Sequence, residues 1–275
     1  MERLTHFKEV DSGVRLSPFL IPREHGAWAM WIVPAVVGAG LAGANYGLAS
    51  LFFLAALLLF WARYPFWVWT RSRGRRAPPL GVIAFASVMG LVGAALALSL
   101  AATQGRWALL WFGAIVALVT AIHLELIIRG HDRSLAAEFL GISALALAGP
   151  ATYHVATTSL DSRALLAWLL PVIFFGASVF TVKLRVDGYV NVRAGTSARP
   201  LAAALLAYLV GALVLLSVLV SLGVVPLAVF LVYLPIMLQA FLTGRSLQSP
   251  PKLKRLGILW VGHSVFFVVL LLFLL

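Results

Sequence analysis

Nine stretches of about twenty predominantly apolar residues follow one another along the chain, the length an α-helix needs to cross the hydrocarbon core of a bilayer. They fall at 26–44, 48–69, 81–102, 107–128, 136–157, 164–182, 200–222, 225–243 and 256–275. Composition agrees: 62% of the 275 residues are apolar and 11% are charged, against about a quarter charged in a soluble domain. The expected fold is all-α, a polytopic bundle of about nine transmembrane helices. There is no cysteine, which excludes disulfides, thiolate metal sites and cysteine nucleophiles. The first twenty residues have neither a signal-peptide core nor a cleavage site. Residues 1–22 are therefore expected to be a cytoplasmic arm, and 23–275 a single bundle domain.

Charge supplies an orientation. The arm and the second, fourth, sixth and eighth connections, with the helix ends beside them, carry 19 of the 21 Lys and Arg residues. Only Arg106 and Arg163 fall on the other side. The positive-inside rule then puts the N-terminus in the cytoplasm and the C-terminus outside, with the bundle in the inner (plasma) membrane. The net charge of +12 is read as basic loops facing anionic lipid rather than nucleic acid. Glu24, Glu125, Asp132, Glu138 and Asp187 lie near the same cytoplasmic ends. The outer half is nearly featureless, so a site is expected to open to the cytoplasm. Ionisable groups within spans are its natural candidates, because burying them is costly.

Four polar constellations stand out. "PREHGAW" opens the first helix, with Pro22 suited to a first turn and Glu24 at the positive end of the helix dipole. Arg23 reads as an interfacial anchor or a ligand contact. Glu24 and His25 point about 100° apart on a helix, so each needs a partner on another helix. The fourth helix closes with Glu125 and Arg129, an acid-first i,i+4 ion pair, and His123 lies on another face. "FWARYPFWVWTRSRGRR" mixes arginines with Trp61, Tyr64, Trp67 and Trp69 in the manner of an interfacial aromatic belt. Arg63, a turn or two inside the helix end, fits a belt less well and suits a carboxylate or phosphate partner. In the sixth connection Asp187 and Asn191 share a helical face with Lys183, while Arg185 and Arg193 lie on other sides. The Asp187–Asn191 pair offers oxygens to a hard cation or a polar ligand.

His25, His123, His154 and His263 invite a haem reading. His123 and His154 lie at opposite membrane depths, and His123 and His263 at roughly 9 and 11–12 Å from the inner boundary. No haem, no other cofactor and no resident metal is expected.

"PREHGAW" is similar to the opening of the YwiC-like family of bacterial integral membrane proteins, a resemblance that implies membrane residence and no particular chemistry. The nine-helix architecture, with polar motifs in the second and sixth connections, resembles the UbiA superfamily of intramembrane prenyltransferases, and "IIRGHDRSLAAEFLG" resembles that family's basic segment after helix four. The family's first motif, Asn-Asp-x-x-Asp-x-x-x-Asp, falls on Arg63, Tyr64, Trp67 and Arg71, so every carboxylate is replaced. The second, Asp-x-x-x-Asp-x-x-x-Gly, falls on Asp187, Asn191 and Gly195. The resemblance implies a cytoplasm-facing cavity for a lipophilic ligand with an anionic head: an isoprenoid, quinone or lipid. Arg63 and Arg71, with Arg185 or Arg193, would take the place of metal charge, and Glu24 or His25 would act as general base. Any enzyme of this design would be a metal-independent, prenyltransferase-like one. The alternatives are a small-solute transporter and an assembly factor for a respiratory complex.

Overall fold

The computed structural model describes residues 25–72, 77–131, 134–245 and 247–275. Its elements are α1 (His25–Ala42), α2 (Tyr46–Arg71), α3 (Leu80–Thr103), α4 (Ala108–Ile128), α5 (Leu135–Ala146), α6 (Ala148–Thr157), α7 (Ser162–Arg193), α8 (Arg199–Ser221), α9 (Val229–Arg245) and α10 (Leu253–Leu274). With α5 and α6 counted as one span, nine helical segments among the described residues match the nine apolar runs. Seven of them are long and apolar enough to cross a membrane, and α1 and α9 are shorter apolar helices. Large apolar side chains stand exposed along α3, α4, α8 and α10, for instance Leu91, Trp111, Leu206 and Phe273. An apolar exterior on this scale is what lipid, and not water, accepts.

The described residues depart from the expected boundaries in two places. The fifth span is broken at Leu147. Pro150 has no N–H for the Ala146 carbonyl, and its ring crowds that carbonyl. The chain tightens there, Leu147 N–H bonding to Ala144 O at 3.2 Å. The Ser143 carbonyl takes a hydrogen bond from Trp168 Nε1 on α7 at 2.9 Å instead. Secondly, α7 does not stop at the expected 182 but runs on to Arg193. Its 32 residues make a rod of about 48 Å, longer than a hydrocarbon core of about 30 Å.

The centre is built from α1, α6 and α7. α6 is buried from Gly149 to Ala156, and α7 is the most buried of the long helices. The three backbones touch. A Cβ placed on Gly38 would lie 2.1 Å from Gly149 O, and one on Gly149 would lie 2.2 Å from Ala167 O and 3.1 Å from Pro34 O. Only a residue without a side chain fits at such a crossing. Pro171 explains part of the contact, since it leaves the Ala167 carbonyl without its i+4 donor. Around the same proline, Tyr233 and Tyr208 hydroxyls donate to Leu170 O (2.9 Å) and Ile173 O (3.0 Å). Val37, Leu170, Phe174, Tyr233 and Phe267 fill the core around this crossing.

Candidate functional site

The basic helix ends carry two groups of polar and aromatic side chains. The first lies between α5 and α7. Ser134 caps α5, its hydroxyl accepting from Ala137 N–H, and this sets Glu138 in the first turn. Glu138 meets Lys183 of α7, Nζ to Oε1 3.2 Å, and Lys183 lies 3.9 Å from Asp187 Oδ2 one turn along. Lys183 is largely covered, with 17% of its side chain exposed against 51% for Asp187. Lys183 and Asp187 thus share a face of α7, one turn apart, with the ammonium beside the Asp187 carboxylate. The Asn191 carbonyl accepts from the N–H and hydroxyl of Thr196, closing α7. His123 of α4 borders this group, 3.8 Å from the position of a Cβ on Gly141, one turn beyond Glu138.

The second group lies in the seam between α1 and α2. Trp28 sits 4.9 Å from Phe60 and 6.4 Å from Trp61 by ring centroid, and Trp31 sits 4.8 Å from Phe53. Arg63 places its guanidinium 4.4 Å from the Phe60 ring centroid, a cation–π geometry. Tyr64 is buried and stacks on Trp67 at 6.2 Å and 16°. Phe66 and Trp69 are exposed, as an interfacial belt requires. The stretch therefore divides into an outward belt and an inward face headed by Arg63 and Tyr64.

The remaining candidates separate. Glu125 and Arg129 form their ion pair at 2.7 Å, both more than half exposed. They line a groove of about 420 Å³ on α4 with Ala121, Ile122 and Leu126. Arg185 is a clasp: its guanidinium donates to Ser249 O (2.8 Å), Ser249 Oγ (3.3 Å) and Pro250 O (3.3 Å), holding the α9–α10 loop against α7. Arg193 is exposed in the last turn of α7. Position 25 begins α1 and position 71 ends α2, so His25 lies one turn before Trp28. Arg23 and Glu24 lie outside the described residues. Glu138, Trp28 and Phe60 were not among the residues expected at the site, although their contacts bring them there. The available signals were the Ser134 cap four residues before Glu138 and the His25-to-Trp28 spacing of one turn.

The opposite end is not featureless, which corrects the expectation. Arg106, 7% exposed, donates from Nε to Val155 O at 2.9 Å. Asn45, in a left-handed conformation at φ 47°, donates from Nδ2 to Ala156 O at 2.7 Å. Together they satisfy carbonyls at the C-terminus of α6, where a positive charge also suits the helix dipole. Asp161 caps α7, accepting from Arg163 N–H and Ala164 N–H, and takes the Tyr153 hydroxyl at 2.8 Å. Partial desolvation pushes the Asp161 carboxyl up, but the Tyr153 and backbone hydrogen bonds and the Arg163 charge outweigh it and hold it below the ordinary range. At this end, among the described residues, the polar side chains close helix ends.

Residues 21–153 match the family described as YwiC-like protein. The match bears out the resemblance carried by "PREHGAW" and runs from the start of α1 into α6, so it includes Arg63, His123 and Glu138 but not Lys183 or Asp187. No curated protein and no solved structure matches the chain significantly. The resemblance to the UbiA superfamily gains no support from these comparisons.

Proposed function

We propose, with the YwiC-like match over residues 21–153 as premise, that this multi-pass membrane protein binds a lipophilic molecule with an anionic head at the basic end of its bundle. The basic end faces the cytoplasm in this reading, and the bundle resides in the plasma membrane. The observations that carry it are the meeting of Glu138, Lys183 and Asp187 between α5 and α7 and the stacking of Arg63 over Phe60 in the α1–α2 seam. Charged groups at a helix–helix seam beside aromatic rings suit a head that is anionic and a tail that is apolar. Arg63 is the head-binding cation, with its planar fork. Arg71 and Arg193 add positive charge at the same end. Lys183 is a second cation, shared between two carboxylates and released to the head on binding. Trp28, Phe60, Trp61 and Tyr64 wall the tail. Glu24 or His25 is the base we propose from the sequence, if a reaction follows binding.

The test is binding of farnesyl diphosphate to detergent-purified protein, with and without Mg²⁺, followed by thermal unfolding. Binding predicts a rise in the unfolding midpoint that does not need Mg²⁺ and is lost in Arg63→Gln. No shift with any isoprenyl diphosphate, nor with an anionic lipid, removes the reading. Transport is the second reading, and the break at Leu147 favours it. Twelve residues of α5 and ten of α6 place the interruption about midway across the span, where discontinuous helices of transporters form their sites. Solute flux into proteoliposomes, abolished by Lys183→Met, would support that reading instead.

A further inference from the structure

Four helices close a ring in the interior: α1 packs on α7 and α10, and α9 packs on α7 and α10. Large rings fill the half of it away from the basic end. Phe174 lies 4.5 Å from Phe267 by centroid, and Tyr233 lies 5.8 Å from Phe267. One helical turn toward the basic end the lining changes character. Ser178 follows Phe174 by four residues on the same face of α7 and is buried. On α10 the equivalent face carries Trp260, His263 and Ser264, the last also buried. Trp260 and His263 meet edge to face at 5.5 Å and 90°, and Trp260 stands 6.3 Å from Phe174 at 77°.

Trp260 Nε1 and His263 Nδ1 are both shut away from the surface, and neither finds a hydrogen-bond partner among the described residues. Buried polar atoms are nearly always satisfied, and an indole N–H can only donate. Two such atoms one turn apart on the same helix are matched by a molecule that brings oxygen to them. His263 lies ten residues into α10, about 15 Å from its start, a depth reached through the hydrocarbon. The walls are aromatic and the four polar residues carry no fixed charge when His263 is neutral.

We propose that this layer between α7 and α10 is a second binding site, for the ring of an apolar molecule that carries a carbonyl or hydroxyl oxygen. Trp260 donates to that oxygen. His263 makes the second polar contact, and Phe174 packs against the ring. The site is separate from the anionic-head site at the start of α1, and the two stand or fall independently.

The test uses the full-length protein in detergent with 1,4-naphthoquinone and naphthalene as probes, the second having the same rings without oxygen. The quinone is expected to raise the unfolding midpoint of the wild type, and naphthalene is not. Trp260→Phe keeps a flat ring and removes the donor. It is expected to weaken quinone binding about tenfold, the factor that one hydrogen bond of ~1.4 kcal/mol carries. Trp31→Phe, at another buried indole N–H without a hydrogen-bond partner among the described residues, leaves quinone binding unchanged. Arg63→Gln also leaves it unchanged while removing the response to farnesyl diphosphate. Equal shifts from quinone and naphthalene, no shift from either, or full binding by Trp260→Phe would overturn the proposal. The wild-type comparison of the two probes decides the matter even where a variant fails to fold.

Discussion

Gly149→Ala puts the central packing to a direct test. The added Cβ would lie 2.2 Å from Ala167 O, about 1.2 Å short of the 3.4 Å at which ordinary contact begins. Moving α6 away from α7 to make room brings the same Cβ against Pro34 O, already 3.1 Å away. Both obstacles are backbone, so no side-chain rotation relieves them. The cost therefore lies at the upper end of the range for overpacking, about 3 kcal/mol or more. For a chain of this size that corresponds to a fall in unfolding midpoint of about 6–12 °C. Gly38→Ala meets Gly149 O at 2.1 Å and should fall comparably. Gly211 on α8, with nothing within 4 Å of its Cβ position, supplies the control. Alanine there should be neutral or stabilise by up to about 1 kcal/mol. The assay is thermal unfolding of detergent-purified variants followed by size-exclusion fluorescence. A Gly149→Ala protein that melts within 2 °C of the wild type, by about the same margin as Gly211→Ala, would refute the three-backbone crossing.

Three further expectations concern polar contacts. Arg106→Met strips the Val155 carbonyl of its donor and should cost about 1–3 kcal/mol in the same assay, while the exposed Arg163→Met costs far less. Asp161→Ala removes the α7 cap and the Tyr153 acceptor, at about 1–2 kcal/mol near neutral pH. Because the folded protein holds the Asp161 carboxyl below its ordinary range, its contribution is present above the unfolded-state value and lost as pH falls through the folded one. The difference between wild type and variant should therefore shrink in a melting series taken into the acid range below ordinary carboxylate titration. Arg185→Ala releases the α9–α10 loop, so amide exchange at Leu247, Gln248 and Ser249 should rise while exchange in α7 stays protected.

The succession of spans was legible because lipid demands apolar runs of a fixed length, and the nine runs coincide with nine helical segments among the described residues. Hydropathy marks the bilayer, however, and not the helix. The polar residues after position 182 announce an exit from the membrane, while α7 continues as helix to Arg193. For the same reason the apolar run at 136–157 conceals the break at Leu147, whose signal was Pro150. In the site, the Lys183–Asp187 face followed from helical spacing alone. Its partner Glu138 did not, because that contact depends on α5 packing against α7. The Trp28–Phe60–Arg63 seam was hidden for a different reason. α1 and α2 are apolar on nearly every face, so their periodicity does not say which rings turn inward. The burial of Arg106 likewise depends on where α6 ends, which no pattern near residue 106 records.

Mass spectrometry of what stays bound after gentle extraction, with wild type and an Arg63→Gln, Lys183→Gln double variant prepared side by side, decides whether the basic end holds such a ligand. One molecule with an anionic head and an apolar tail is expected to stay with the wild type in near-equal amount and to be lost from the variant. Finding only bulk phospholipid, in the same amount on both proteins, would contradict this.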